Sequence, residues 1–194
     1  RPMDFTEYLR AIGQGMMADA MSDGASIADL DSGFRDRLKD WPKEYMVVGG
    51  MPAVVADFAE HRDFNEAREL QREILDDYDG DVSKHAPLRI LERIRMVWAS
   101  LPSQLAKENR KFIYGALRPG ARAREFEESI QWLRDYGAIT KVPAVTAIRT
   151  PLAAYEDSAA FKLFAVDCGL LGALARLSPS TILEGEKLFT EFKG

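Results

Sequence analysis

Residues 121–148 of the chain read ARAREFEESIQWLRDYGAITKVPAVTAI. Phe126, Ile130 and Leu133 recur every three or four residues, which predicts a helix over about residues 121–136 with one apolar face. Gly137 stands where glycine commonly ends a helix. The helical period then stops, and a strand is predicted from the β-branched residues that follow, Ile139, Val142, Val145 and Ile148.

The segments on either side complete a winged-helix order. From Pro87, apolar residues at helical spacing predict a first helix, and Pro102 is predicted to open a second one. Downstream, a polar break at residues 156–158 precedes a second extended run over 161–166, and a short helix over 170–177 closes the unit. Three helices followed by two strands predict a winged-helix-like unit with a small β-hairpin.

The N-terminal part predicts further helices. Asp4 and Glu7 have the spacing of a capping box, with an acidic residue at the N-cap. Pro52 suits the first position of a later helix, and Asp63 can cap the next one. Breakers predict helix ends at Gly13, Pro42 and Gly80. The predicted fold class is therefore mainly α, with a helical subdomain preceding the winged-helix-like unit.

Composition places the chain among ordinary globular proteins. Its 194 residues are 46% hydrophobic and 29% charged, and the net charge of −5 argues against a generally basic nucleic-acid coat. The single Cys168 lies in an apolar stretch and is predicted to be a small buried hydrophobe. No apolar run approaches the roughly 20 residues that span a bilayer, so we expect no membrane association and a cytoplasmic location.

Catalytic and ligand-binding motifs are missing from the sequence. The phosphate-binding pattern G-x-x-x-x-G-K-[ST] is absent, and Gly49-Gly50 is predicted to form a structural turn rather than an anion site. His61 and His85, with one cysteine elsewhere, have no zinc-site spacing. We therefore predict no catalytic, cofactor-binding or metal-binding residues and no enzyme activity for this chain. An independent enzyme stays open as an alternative hypothesis, after the two binding functions considered below.

Basic residues form the most informative charge feature. Winged helices often place their third helix in the DNA major groove, where its N-terminal residues touch bases. Carboxylates on the same helix, such as Glu127 and Glu128, would oppose phosphates, which favours contact with protein instead. The sequence therefore leaves DNA and protein as alternative partners. The candidate contact residues are Lys111, Arg118, Arg122, Arg124 and Lys141.

Five strings in order carry a resemblance to a known family: residues 2–9 (PMDFTEYL), 45–52 (YMVVGGMP), 81–85 (DVSKH), 100–112 (SLPSQLAKENRKF) and 161–171 (FKLFAVDCGLL). Together they resemble prokaryotic AAA-type ATPases that carry a C-terminal domain of unknown function. The likeness covers almost the whole chain.

The resemblance implies that this chain is the middle region of such a protein, namely the lid and the winged-helix-like part. We expect a fragment whose parent binds ATP and Mg²⁺ in a core upstream and carries another domain downstream. The implied division is a lid-like region over 1–84, a winged-helix-like domain over 85–178 and the start of a truncated domain over 179–194. The implied function is that of a regulatory or protein-interaction module, whose partners are the flanking parts of the same protein; the alternative is a DNA-binding module.

Overall fold

The computed structural model describes residues 1–23, 32–107 and 111–184. These residues fold mainly into α-helices with one two-stranded antiparallel sheet, as the sequence predicts. They form two compact units: the first contains Arg1–Asp76 and the described residues from Asp167 onward, and the second contains Asp77–Val166. The predicted division at residues 84 and 178 stays a prediction.

The described helices and strands follow one another along the chain. The first five helices are α1 (Phe5–Ala11), α2 (Gly15–Ser22), α3 (Ser32–Val48), α4 (Pro52–His61) and α5 (Phe64–His85), the last of which contributes residues to both units. The remaining elements are α6 (Leu88–Ala106), α7 (Ala123–Asp135), β1 (Ile139–Val145), β2 (Glu156–Ala165), α8 (Cys168–Leu174) and α9 (Pro179–Glu184).

Local capping signals fix several helix ends in the first unit. Asp4 and Glu7 form the predicted capping box at the start of α1. Gly13, with φ of 83°, follows the end of α1, and Pro52 is the first residue of α4. Asp63 accepts a hydrogen bond from the Asn65 N–H at the start of α5. The core of this unit is built from Tyr8, Leu9, Ile12, Met17, Trp41, Val54, Val55 and Phe58.

Three predicted helix boundaries are wrong, namely the ends at Pro42 and Gly80 and the start at Pro102. Pro42 lies inside α3, Gly80 inside α5 and Pro102 inside α6, which is one continuous helix. An interior proline costs roughly 3 kcal/mol and a glycine about 1 kcal/mol relative to alanine. In each case the helix continues because burial of later residues offsets that cost: Val47 and Val48 after Pro42, Val82 and Ala86 after Gly80, and Leu105 after Pro102.

The predicted second helix of the winged-helix order is a short 3-10 turn at Tyr114–Ala116. Gln104 connects it to α6, because its side-chain amide donates to the Ile113 carbonyl at 2.9 Å and accepts from the Ile113 N–H at 3.1 Å. Phe112 also donates its backbone N–H to the carbonyl of Phe161 in β2, at 2.7 Å. The segment therefore packs along the hairpin instead of extending as a helix.

The hairpin pairs β1 with β2 from Ile139 opposite Ala165 to Val145 opposite Glu156. The predicted polar break at 156–158 is wrong, since those residues begin β2. The ladder shifts register between Pro143 and Ala144. The core of the second unit consists of Ile90, Ile94, Val97, Leu101, Phe112, Phe126, Ile130, Leu133, Ile139, Phe161 and Leu163.

Candidate functional site

Helix α7 presents a polar face on the second unit. Phe126, Ile130 and Leu133 are buried, as their spacing predicts. Gly137, with φ of 82°, follows the helix and donates its N–H to the Arg134 carbonyl, which turns the chain into β1. Apart from the buried Ser129, the other residues of α7 are exposed or half-buried, so charged side chains line its outer side.

The predicted contact residues divide into two groups. Lys111, Arg122 and Arg124 are exposed and take part in no ion pair within the described parts of the chain. Arg118 and Lys141 instead make contacts within their own unit. Arg110, which belongs to the same basic group in the sequence, lies outside the described residues.

Arg118 pairs with Glu125, and its guanidinium lies 5.8 Å from the centre of the Phe126 ring. Its hydrogen bond holds the pKa of the Glu125 carboxyl below the usual value. The Lys141 ammonium lies 4.0 Å from the centre of the Phe161 ring, a cation–π contact. These two cations are consequently less available to phosphates than the sequence suggests.

Carboxylates dominate the outer side of α7. Glu127, Glu128 and Asp135 are all exposed. Glu128 pairs with Arg89 of α6, and Asp135 accepts a hydrogen bond from the Gln131 amide at 2.6 Å. A phosphate backbone approaching this side would meet negative charge.

A groove of about 510 Å³ runs between the start of α6, the outer side of α7 and strand β1. Its walls combine the carboxylates of α7 with Arg134, Lys141 and the apolar surface of Ile90, Tyr114 and Trp132. Two of those carboxylates, Glu128 and Asp135, already bind Arg89 and Gln131, so they are not arranged as a free acid–base pair.

Several apolar side chains of residues 142–152 are exposed, a feature that sequence reasoning missed. Val142 is 45% exposed, Val145 40%, Ile148 92% and Leu152 54%. We call these four residues the apolar wing surface. The β-branched character of Val142, Val145 and Ile148 predicts a strand, whereas the exposure of all four follows from the absence of any described element packed over them.

A buried polar network occupies the first unit. Asp167 caps α8 by accepting from the Leu170 N–H at 2.8 Å, and its second oxygen accepts from the Gly50 N–H at 2.6 Å. Burial raises the pKa of this carboxyl. Gly49 has φ of 74°, a conformation that favours glycine, so the Gly49-Gly50 turn is structural as predicted. The Gly50 N–H of this turn binds the Asp167 carboxylate of the same chain.

Two further polar side chains complete this network. Gln71 donates to the carbonyls of Val47 and Val48 at 2.9 and 2.7 Å, which satisfies the last turn of α3. Arg68 is only 3% exposed and donates to Gln71 and to the Gly169 carbonyl, but its Nε and Nη2 have no partner. Burial lowers the pKa of Arg68.

Cys168 lies beside this network and is not a reactive thiol. Its sulfur lies 3.5 Å from the Tyr45 carbonyl oxygen, and burial raises its pKa to about 12. A thiol with that pKa stays protonated near neutral pH, and the thiolate is the nucleophilic form. Cys168 is half-buried, so its prediction as a small buried hydrophobe is met only in part.

The structure also brings together one histidine and two carboxylates that the sequence spacing does not reveal. His61 Nδ1 lies 2.9 Å from Asp57 Oδ1 and 3.7 Å from Glu66 Oε2. The hydrogen bond to Asp57 raises the pKa of His61. The signal in the sequence is the four-residue separation of Asp57 and His61, which places both on one side of α4.

Within the described residues, no helix combines the length and apolar character that crossing a membrane would require.

Comparison with known proteins gives one match, to a protein family. No curated protein and no solved structure matches this chain. A model of the family described as Domain of unknown function (DUF8612) matches residues 39–181. Because this match spans well over half of the sequence, the chain belongs to the DUF8612 family.

Proposed function

We propose that this chain is a non-catalytic region of a prokaryotic, cytoplasmic AAA-type ATPase and that it works by contacting another part of the same protein. The ATPase assignment rests on the ordered resemblance of five sequence strings, quoted above. The ATP and Mg²⁺ site would then belong to a core outside this chain, since no phosphate-binding glycine loop with a lysine is present in the sequence.

The observation that carries the interaction role is the apolar wing surface. Each of its four side chains is at least 40% exposed, and they follow one another along a single hairpin. An apolar patch on a protein surface commonly marks a site that another protein covers, and we propose that these four side chains form such a patch. A polar rim is typical of such interfaces, and the charged residues of α7 and β1 lie in the same unit.

The genomic sequence flanking this stretch tests the ATPase assignment. We expect codons upstream to encode G-x-x-x-x-G-K-[ST] after a predicted strand, because that loop cradles the phosphates of ATP. An upstream frame without such a motif would remove the ATPase from the proposal and leave the interaction role standing alone.

Hydrogen exchange tests the interaction role directly. In the full gene product, we expect the amides of residues 146–154 to exchange more slowly than in the isolated chain, because a partner segment covers the apolar wing surface. The double change Ile148→Ser and Leu152→Ser should remove that protection. Leu88→Ser is the matched control, since Leu88 is 85% exposed in the same unit but lies outside the wing. Equal exchange in the full product and the isolated chain would contradict the interaction role.

DNA binding is the second candidate, supported by the exposed Lys111, Arg122 and Arg124. If duplex DNA binds, its affinity should fall steeply between 50 and 200 mM salt and should weaken when Arg122 and Arg124 become alanine. Arg72→Ala is the control, because Arg72 is exposed in the first unit and pairs with Glu69. Fluorescence anisotropy with a labelled duplex measures both effects. An affinity for DNA that is unchanged when Arg122 and Arg124 become alanine would count against this candidate.

A further inference from the structure

The end of α4 and the start of α5 hold three metal-ligating side chains close together. One ligand atom from each of Asp57, His61 and Glu66 lies within 4.8 Å of the other two. Arg62 makes this possible, because its left-handed conformation, with φ of 55°, ends α4 and turns the chain toward the first turn of α5. We call Asp57, His61 and Glu66 the histidine–carboxylate cluster.

The spacing of these atoms suits a single metal ion. Ligand atoms bound tetrahedrally to zinc at about 2.0–2.1 Å lie about 3.3 Å from one another. The two separations from His61 Nδ1, 2.9 Å to Asp57 and 3.7 Å to Glu66, fall on either side of that value. The Glu66 side chain is 56% exposed, so it is free to move the few tenths of an ångström that ligation needs.

Local charge favours a cation at this place. Residues 57–66 include four carboxylates, from Asp57, Glu60, Asp63 and Glu66, and His61 is the last residue of α4, where the helix carbonyls carry partial negative charge. The one arginine in the stretch, Arg62, is directed elsewhere, since it donates to the Ile12 carbonyl and lies 3.3 Å from Glu44.

The two oxygens of Asp57 differ in their surroundings, although the side chain as a whole is 24% exposed. Its Oδ1 hydrogen-bonds His61, whereas its Oδ2 is excluded from solvent and has no hydrogen-bond partner. A buried acceptor left without a hydrogen-bond partner is destabilising. A cation bound at the carboxylate would compensate that destabilisation electrostatically.

We propose that the histidine–carboxylate cluster binds a divalent transition metal of the zinc class, with Asp57, His61 and Glu66 as its protein ligands. An imidazole nitrogen together with carboxylates selects zinc-class ions over magnesium, which prefers oxygen ligands alone. Three protein ligands leave the remaining position to water. The metal would join the end of α4 to the start of α5, which makes its role one of holding the first unit together.

Isothermal titration of the chain with zinc chloride alone tests this site. We expect saturable 1:1 binding below about 1 mM zinc, corresponding to roughly 4 kcal/mol or more, and no binding of magnesium chloride over the same range. Loss of even an outer-shell partner weakens metal binding 10–100-fold, so His61→Ala, Asp57→Asn and Glu66→Gln should each weaken zinc binding at least about tenfold. His85→Ala is the matched control, because His85 is the other histidine of the chain and is exposed on α5.

NMR of the wild-type chain gives a readout that does not depend on any variant folding. Zinc should shift the ring resonances of His61 and leave those of His85 in place. Absence of saturable binding would overturn the proposal, since the cluster would then be a surface ion pair only. Binding that survives His61→Ala, or that is lost equally in His85→Ala, would overturn it as well.

Discussion

A buried polar network of the first unit contrasts with an exposed apolar segment of the second. The first unit buries Asp167, Arg68 and Gln71, which tie the last turn of α3, the Gly49-Gly50 turn and α8 together through hydrogen bonds. The second unit exposes Ile148 and its neighbours on the hairpin. Buried polar groups are costly unless they are satisfied, whereas exposed apolar groups cost little until a partner covers them.

This difference separates two kinds of position. Substitutions in the polar network of the first unit, or in the core below the hairpin, are expected to change the free energy of unfolding. Substitutions in the apolar wing surface are expected to change association and leave unfolding nearly unaltered. Four measurements test this difference, in order of decreasing expected effect.

The largest effect is expected for Phe161→Ala, in the core beneath the hairpin. Phe161 is 5% exposed, stacks on Phe112 with ring centres 5.8 Å apart, and lies beneath the Lys141 ammonium. Truncating a buried phenylalanine costs about 3–5 kcal/mol, which urea unfolding would measure. Leu152→Ala is the control and should change the free energy of unfolding by less than about 0.5 kcal/mol. Similar losses from both would show that the wing residues are structural.

Gly169→Ala should have the next largest effect. A Cβ at Gly169 would lie 2.7 Å from the Val48 carbonyl oxygen and 2.8 Å from the Gly49 nitrogen, so α8 would have to move. We expect a loss of about 1–3 kcal/mol, typical of overpacking. Gly80→Ala is the opposite control, since nothing lies within 4 Å of a Cβ there, and it should gain about 0.5–1 kcal/mol. A stabilising Gly169→Ala would refute the close packing of α8 on the turn.

The pH dependence of Asp167 gives a smaller, signed effect. Its pKa is raised in the folded state by burial, above the ordinary value of 3.8. A raised acid pKa adds stability that is complete below the unfolded pKa and is lost as pH rises through the folded pKa. Wild type should therefore gain stability relative to Asp167→Asn as pH falls from 7 toward 4, as urea titrations at several pH values would record. The reverse trend would mean that the Gly50 and Leu170 N–H groups outweigh burial.

The smallest effect on stability is expected for Ile148→Ser. Ile148 is 92% exposed, so the change should alter the free energy of unfolding by no more than about 0.5 kcal/mol. Thermal unfolding of the isolated chain measures this. A larger loss would show that the apolar wing surface packs within its own unit and would weaken the comparison between the two units.

The structural features that the sequence predicted correctly are those set by interactions between residues close together in the chain. The Asp4–Glu7 capping box, Pro52 at the start of α4, and α7 followed by Gly137 all rest on interactions within a few positions. The mainly helical class with a hairpin followed from these signals. Local rules predict helix ends at Pro42 and Gly80 and a helix start at Pro102, but all three lie inside helices, where burial of later residues offsets their local cost.

The site depended on what the fold brings together. The sequence identifies the basic residues. The ion pair of Arg118 with Glu125 and the cation–π contact of Lys141 with Phe161 are known only from the tertiary structure. The left-handed turn at Arg62 was equally hidden, and with it the meeting of His61 and Glu66. The exposure of the apolar wing surface could not be predicted from its β-branched residues, because such residues are common in buried and in exposed strands.

Pro143 has a consequence for the behaviour of this chain in concentrated solution. A strand with valines at 142 and 145 is the kind of segment that templates pairing between molecules and, ultimately, fibrils. Pro143 offers no N–H in the middle of β1, and the ladder is interrupted directly after it. The strand can thus expose apolar side chains while its backbone is a poor template for pairing with the same strand of another molecule.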